Sequence, residues 1–114
     1  MKIVILSRNK SLYSTQRLIE AGENRGHEML LLDHMKTVLV IEQGRPHIFF
    51  NGKEVTDVNA VIPRIGSSAT FYGSAVVRQF EMMNVFTAVN SRGIIHSRDK
   101  LRCLQVLSKE GIGL

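Results

Sequence analysis

The sequence has few residues of the kinds that crosslink or stiffen small proteins. It contains one cysteine, Cys103, two prolines and no tryptophan in 114 residues. Because a single cysteine cannot form a disulfide within the chain, the fold must depend on its hydrophobic core, and a reducing, cytoplasmic setting is expected. No apolar run approaches the ~18 residues of a transmembrane helix, and the short apolar N-terminus lacks signal-peptide features, so we expect no membrane contact.

Several common chemistries also lack their motifs. The sequence has no G-x-x-x-x-G-K-[ST] phosphate loop, and no G-x-G-x-x-G motif follows the first predicted strand. The histidines are scattered without metal-ligand spacing, which predicts surface or turn residues and no metal site; they are His27, His34, His47 and His96. Cys103 is interpreted as a core thiol rather than a nucleophile.

Positive charge is in excess. The net charge is +5 and the isoelectric point about 9.8, which favours anionic partners such as nucleotides, ribosomes or nucleic acid. Lysine and arginine never occur consecutively, and a solvated basic surface explains the same excess. We therefore predict no specific nucleic-acid partner.

Short apolar runs alternate with helical patterns along the chain. Because such runs are typical of buried parallel strands, the order predicts an α/β fold: an open, mostly parallel, Rossmann-like sheet with helices on both faces. The predicted strands are Lys2–Leu6, Glu28–Asp33, Ala60–Pro63 and Val85–Asn90. The predicted helices cover residues 15–26, 71–83 and 97–114, with Gly26 and Gly111 as stop signals.

The middle of the chain has a different pattern. Residues 37–55 read as strands separated by turns at Gln43–Arg45 and at Asn51–Gly52, and Asn-Gly is a strong hairpin signal. We therefore predict a β-hairpin at the edge of the sheet. Its apolar segment Ile48–Phe50 could pair at that edge or pack on another subunit.

The stretch VIPRIGSSATFYG suggests an anion site where the third buried strand ends. Ligands of open α/β sheets bind beyond the carboxyl ends of the strands, and three loops leave those ends: residues 7–10, 64–68 and 90–100. Arg64 could clamp a carboxylate or phosphate beside the helix N-terminus that Gly66, Ser67 and Ser68 lead into. The alternative is that a serine or Thr70 merely caps the helix while Arg64 covers the sheet edge.

The third loop carries cations close to another helix start. Arg98 and Lys100 lie in or beside the predicted first turn, where each opposes the helix dipole by ~0.3–1 kcal/mol and Asp99 offsets part of that cost. An anion bound between the cations and the helix would explain this placement. A solvated charge cluster is the alternative.

Three segments carry a family resemblance. KIVILSRNKSLYSTQRL, AVIPRIGSSATFYGSAVVRQFEMM and SRDKLRCLQVLSKEGIGL together resemble the N-terminal, pre-ATP-grasp domain of the RimK-type ribosomal-protein glutamate ligases, members of the ATP-grasp superfamily. The resemblance covers nearly the whole chain and is weakest around residues 35–58. Its most specific part is the string from Pro63 through Met82.

The resemblance implies a concrete function. Such ligases use ATP with magnesium, or manganese in its place, to activate a carboxylate for attack by an amine, and the RimK type adds glutamate to the C-terminus of a small-subunit ribosomal protein. By this resemblance Lys100 reaches the ATP phosphates. From their position at the strand ends, Arg64, the Gly66–Ser68 turn and Arg8 are expected to form the substrate side and to face the acceptor or glutamate carboxylate. The expected partners are the rest of the ligase chain, the ribosomal acceptor, glutamate and further copies of the protein.

The family pattern continues beyond the sequence given. We therefore expect residues 1–114 to form one domain, with the ATP-grasp core following residue 114 and no catalytic residue, metal site or tightly bound cofactor within it. Such a fragment is expected to be inactive alone. The alternative hypothesis is a stand-alone, flavodoxin-like binding or regulatory module without catalytic activity.

Overall fold

A computed structural model describes residues 1–113 as two β-sheets and four α-helices. The strands are β1 (Lys2–Leu6), β2 (Glu28–Leu32), β3 (Thr37–Glu42), β4 (Arg45–Phe50), β5 (Lys53–Glu54), β6 (Ala60–Pro63) and β7 (Phe86–Thr87). The helices are α1 (Tyr13–Asn24), α2 (Thr70–Met82), α3 (Ser91–Arg98) and α4 (Lys100–Lys109). The predicted α/β fold is confirmed.

The larger sheet is parallel, with the strand order β2-β1-β6-β7. Its central strand β1 is apolar throughout after Lys2, because it is covered on both faces and hydrogen-bonded on both sides. Leu6 pairs with Leu32 on one side and Pro63 on the other, so the strands end together. Their carboxyl ends therefore meet at one rim of the sheet.

Helices cover both faces of this sheet, as predicted. Val4 and Val61 belong to the core that also contains Phe80 of α2. Met29 is on the opposite face, because its strand partner is Ile3 and side chains alternate along a strand. There α1 approaches so closely that a Cβ on Gly22 would overlap the Met29 side chain, which would have to move to admit a larger residue.

The predicted hairpin is present and forms a sheet of its own. Strands β3, β4 and β5 are antiparallel, joined by two-residue turns at Gln43–Gly44 and Asn51–Gly52 in which all four residues have positive φ. This geometry is the type I′ turn that Asn-Gly favours. Because β4 lies between β3 and β5, Ile48–Phe50 cannot pair at an edge, and that part of the prediction is wrong.

The second sheet is held against α2 by side-chain hydrogen bonds. The Gln79 amide donates to the backbone oxygens of Val40 and His47, each at 3.1 Å. The Tyr72 hydroxyl donates to the Thr37 oxygen at 2.7 Å. Helix α2 is thus packed between the two sheets, and six of its thirteen residues are buried.

The C-terminal region differs most from expectation. The predicted strand at Val85–Asn90 is reduced to the two residues of β7, and the predicted open loop over residues 90–100 is helix α3. Arg98 ends α3, where a cation suits the dipole, and it also directly precedes Asp99, the N-cap of α4, so it lies beside that first turn as predicted. Lys100 is the first residue of α4, as predicted.

Within residues 1–113, no helix combines the length and apolar character that crossing a membrane would require.

Candidate functional site

A cavity of about 430 Å³ opens at the carboxyl ends of β1 and β6. It is enclosed by the loops that follow these strands and by α3, and the segment after β7 reaches it through Val89. Its charged and hydroxyl side chains are those of Ser7, Arg64, Ser97 and Arg98. This is the rim at which open α/β sheets bind ligands.

Arg64 is fixed by its backbone and free at its tip. Its N–H donates to the Leu6 oxygen at 2.8 Å, which extends the β1–β6 ladder by one rung. The exposed guanidinium donates to the Ser14 hydroxyl at 3.2 Å, and no carboxylate pairs with it in residues 1–113. Since a guanidinium has five N–H donors, most remain available for an anion.

Arg98 reaches the same cavity from α3. Its guanidinium donates to the backbone oxygen of Ile65, the residue after Arg64. Arg98 therefore holds the β6–α2 loop in place, and its other donors border the cavity. Two arginines from distant parts of the chain thus face one space.

The turn from Gly66 into α2 has no side-chain cap from residues 1–113. Residues Ser67–Ala69 form a short 3₁₀ turn, and none of these side chains accepts a hydrogen bond from the start of that turn or of α2. The Thr70 hydroxyl instead donates to the Ser67 oxygen at 2.8 Å. The alternative in which a serine or Thr70 caps the helix is therefore wrong, and the backbone N–H groups here have no side-chain partner in the part of the chain that the structure describes.

Not every predicted site residue faces the cavity. Arg64 and Gly66 line it, whereas Ser67 and Ser68 are exposed on the neighbouring turn. Arg8 lies elsewhere, near enough to His34 to affect its pKa.

Lys100 does not line the cavity. It begins α4, two residues after Arg98, which does line it. It is exposed in the first turn of α4, and the Asp99 carboxylate caps that turn by accepting from the Arg102 N–H at 3.0 Å. Asp99 thereby takes up one of the backbone N–H groups at the start of α4. Lys100 itself remains open to solvent.

Sequence reasoning missed what α3 contributes. Asn90 caps this helix, with its side-chain oxygen accepting from the Gly93 N–H at 2.7 Å. Asn90 and Asp99 are both preferred cap residues, and two such residues nine positions apart signal two helices. Ser97 and Arg98 reach the cavity because the first of these helices packs beside it.

His34 lies in a 3₁₀ turn, one of the two predicted positions, but it is buried rather than at the surface. Neither ring nitrogen has a hydrogen-bond partner among the described residues, and the ring lies close to Gly73 of α2. Burial lowers the pKa of His34; the Arg8 charge acts in the same direction, and Asp33 opposes it. Burial and the Arg8 charge thus both favour the neutral imidazole.

The donors around the cavity suit an anion. In the part of the chain that the structure describes, no three His, Cys, Asp or Glu side chains come together in a way that could hold a metal ion. Arginine guanidinium groups and uncapped backbone N–H groups bind carboxylates and phosphates.

A family model described as the RimK PreATP-grasp domain matches residues 1–94. Over all 114 residues the chain is 57% identical to a probable alpha-L-glutamate ligase of Aliivibrio fischeri and 56% identical to one of Azotobacter vinelandii. It spans 38% of the length of these curated relatives.

Two solved structures share the fold. The ATP-grasp ligase PsnB, complexed with precursor peptide PsnA2 and AMPPNP, superposes with a TM-score of 0.66 at 19% identity, over 96% of this chain and 43% of PsnB. The macrocyclase MdnC, bound to precursor peptide MdnA from Microcystis aeruginosa, gives a TM-score of 0.56 at 16% identity, over 96% of this chain and 44% of MdnC.

Proposed function

The chain belongs to the RimK pre-ATP-grasp domain family, and from that premise we propose that it is the substrate-side N-terminal domain of an ATP-dependent carboxylate–amine ligase. The observation that carries the proposal is the cavity at the sheet rim, which two arginines border with no carboxylate of residues 1–113 paired to either. Such a cavity suits a substrate that has a free carboxylate. Glutamate and a protein C-terminus both have one.

The proposed reaction forms an amide. ATP would phosphorylate the acceptor carboxylate with release of ADP, and the amino group of the incoming glutamate would displace phosphate while losing a proton. By likeness to its relatives, we propose glutamate as the donor and the C-terminus of a small-subunit ribosomal protein as the acceptor. The domain would hold a carboxylate still while chemistry proceeds on residues beyond position 114.

Arg64 is the proposed carboxylate clamp. Its guanidinium forms one hydrogen bond within residues 1–113, to Ser14, and its backbone is positioned by the hydrogen bond from its N–H to the Leu6 oxygen. The uncapped turn at Gly66, Ser67 and Ser68 would add backbone N–H donors. Arg8, although outside the cavity, would add positive charge at the same rim.

Lys100 fits one contact of the proposed nucleotide. Its exposed ammonium at the start of α4 suits a phosphate oxygen, and the helix dipole favours an anion there. When bound, ATP would supply the phosphoryl group that activates the carboxylate. The adenine pocket and the ligands of the magnesium ion are proposed to lie beyond residue 114, together with the catalytic residues.

The first experiment is the intact mass and activity of the natural gene product. We expect a mass well above 12.8 kDa and, with ATP and glutamate, ADP release together with glutamyl additions to a ribosomal C-terminal peptide. A natural mass of 12.8 kDa would instead favour the stand-alone binding module. Absence of glutamyl transfer by a longer product would refute the donor or the acceptor.

Two variant pairs test the residue roles in that product. Arg64→Ala should raise the KM for the carboxylate substrate about tenfold or more, whereas Arg45→Ala, an exposed arginine on β4, should not. Lys100→Ala should raise the KM for ATP, whereas Lys109→Ala at the other end of α4 should leave it unchanged. If Arg64→Ala and Arg45→Ala changed the KM for the carboxylate substrate equally, Arg64 would not belong to the site. If Lys100→Ala and Lys109→Ala changed the KM for ATP equally, Lys100 would not belong to it.

A further inference from the structure

The cavity of about 430 Å³ at the carboxyl ends of β1 and β6 (the rim cavity) suits two proposed substrates equally if only their carboxylates are considered. Free glutamate and the acceptor C-terminus differ in a second group. Glutamate has an α-ammonium, whereas the last residue of a peptide has an amide in its place. A site for a free amino acid therefore needs a partner for a positive charge, and a site for a peptide end does not.

The wall of the rim cavity has no side chain that would neutralise an ammonium. Among residues 1–113, those that line it include no aspartate, glutamate or histidine, and its charged side chains are Arg64 and Arg98. Both arginines repel a cation, and the hydroxyls of Ser7 and Ser97 are weaker partners for it than a carboxylate. The same lack leaves no ionisable side chain to accept the proton that an attacking amine loses.

The position of the rim cavity beside α4 favours the acceptor as its ligand. Arg98 lines the cavity, and Lys100, the proposed phosphate contact, follows two residues later at the start of α4. In the proposed reaction the acceptor carboxylate is phosphorylated first, and the amino group of glutamate reacts only afterwards. A carboxylate held beside Arg98 therefore lies on the side of the domain where phosphorylation is proposed to occur.

The apolar part of the wall suits a chain rather than a single amino acid. Leu12, just before α1, and Val89, after β7, line the rim cavity and are 49% and 46% exposed. Exposed apolar side chains at a pocket lose their contact with water only when a ligand extends over them. A peptide with its last residue in the cavity would place earlier residues across these side chains, whereas free glutamate has no such extension.

We propose that the rim cavity holds the C-terminal residue of the acceptor peptide and that the incoming glutamate binds elsewhere. Arg64 and Arg98 would bind the terminal carboxylate through their remaining N–H donors, while Arg98 keeps its hydrogen bond to the Ile65 oxygen. The proposal rests on the proposed ligase function and adds which substrate this domain selects. The glutamate site, with the acidic partner for its ammonium, would then be formed by residues beyond position 114.

Steady-state kinetics of the natural gene product test this assignment, with ATP, glutamate and a ribosomal C-terminal peptide as substrates. Arg64→Met removes the charge and keeps the backbone hydrogen bond to the Leu6 oxygen. It should raise the KM for the peptide about tenfold or more, while the KM for glutamate changes less than about twofold. Arg45→Met, at an exposed position on β4, is the matched control and should alter neither value.

An added carboxylate in the rim cavity gives a second kinetic readout. Ser97 lines the cavity and is exposed, so its replacement leaves the core intact. Ser97→Asp should repel the acceptor and raise the KM for the peptide about fivefold or more, whereas the uncharged Ser97→Asn should change it less than about twofold. A lower KM for glutamate in Ser97→Asp, with the peptide KM unchanged, would show that an ammonium occupies the cavity and would overturn the proposal.

Binding measured without ATP makes the test independent of turnover. N-acetyl-L-glutamate resembles a peptide end because its amine is blocked, and L-glutamate is the comparison. In amide NMR spectra of the natural product, N-acetyl-L-glutamate should shift the signals of Ile65, Gly66 and Ser97 at a concentration at least about tenfold below that required for L-glutamate. Arg64→Met should abolish these shifts.

The two sets of measurements separate this proposal from the ligase function. If no glutamate is transferred but N-acetyl-L-glutamate shifts the cavity signals selectively, the ligase function is refuted and the preference of the cavity for a peptide carboxylate stands. If glutamate is transferred and Arg64→Met raises only the KM for glutamate, the ligase function stands and the proposal is overturned. Equal shifts with both ligands, or no shifts with either, would also overturn it.

Discussion

Helices α2 and α4 have similar apolar spacing but very different surroundings. In α2 the residues Val76, Val77 and Phe80 are fully buried, because the helix lies between the two sheets. In α4 the residues Leu101 and Leu104 recur at helical spacing, yet the helix buries no residue at all. Its main packing partner within residues 1–113 is the short helix α3.

The comparison shows that periodicity predicts a helix and its apolar face, but not what covers that face. An apolar helix face left exposed is typical of an interface. The chain spans 38% of the length of its curated relatives, and we propose that the chain beyond residue 114 covers α4. Because helical spacing does not determine burial, Cys103, predicted to be a core thiol, is only partly buried.

The largest expected difference is between core truncations in the two helices. Phe80→Ala should lower the free energy of unfolding by about 3–5 kcal/mol, because it leaves a large cavity between the sheets. Leu104→Ala should change it by less than about 0.5 kcal/mol in the 114-residue chain. Urea denaturation of both variants measures the contrast, and comparable losses would mean that α4 is packed more tightly than the structure describes.

A second prediction concerns the amide that joins α2 to the hairpin sheet. Gln79→Met should lower the free energy of unfolding by about 1–2 kcal/mol, because the Val40 and His47 oxygens lose a buried donor while side-chain volume is roughly kept. Arg78→Met, at the exposed neighbouring position, is the control. Hydrogen exchange should quicken in β3 and β4 for Gln79→Met alone; unchanged exchange there would argue against the amide as the link.

The third prediction uses His34, which lies against α2. Burial lowers its pKa below the ordinary value of about 6.5, so on acidification the unfolded chain binds a proton that the folded chain resists. Stability is therefore complete above about pH 6.5 and falls below it, by up to about 1.4 kcal/mol per pH unit.

Urea titrations between pH 7 and pH 5 measure this dependence. His34→Phe should reduce the slope, since it removes both the proton site and the unpartnered nitrogens. Ile65→Val, a smaller change in the same region of the core, should lower stability while keeping the slope. An unaltered slope in His34→Phe would mean that other groups account for the acid sensitivity.

The smallest expected effect is at the start of α4. Asp99→Ala removes the cap on the Arg102 N–H and should cost about 1 kcal/mol of local helix stability. Because α4 contributes little to the core, the loss should appear as faster amide exchange within α4 and hardly in global unfolding. Glu110→Ala, at the far end of the helix, is the control; a large global effect would contradict the loose packing of α4.

Most of the fold could be predicted because its signals are local. The apolar run at Lys2–Leu6, the Asn51–Gly52 turn and the stop at Gly26, whose φ is +81°, each depend on neighbours within a few residues. Helix α3 was missed because its cap, Asn90, was read as part of a loop. The second sheet was predicted only as an edge hairpin, since its attachment through Gln79 joins residues more than thirty positions apart.

The candidate site was only partly predictable. Arg64 and Gly66 follow a strand end, and the rule for open α/β sheets places them at the rim. Arg8 also follows a strand end, yet it lies near His34 instead of lining the cavity, because the direction of a side chain depends on local backbone and packing. Arg98 reaches the cavity through its hydrogen bond to the Ile65 oxygen, a contact that no spacing in the sequence reveals.

The sequence by itself determined most of the elements, their order and the parallel sheet, because hydrophobic periodicity and turn chemistry act over a few residues. It also determined the family, through motifs that extend over most of the chain. Only the tertiary structure decided that α2 is enclosed while α4 is open, that His34 is buried, that Arg64 and Arg98 share one cavity, and that β3 presents a free edge. The physical reason is that burial, side-chain direction and strand pairing depend on contacts between residues far apart in the chain.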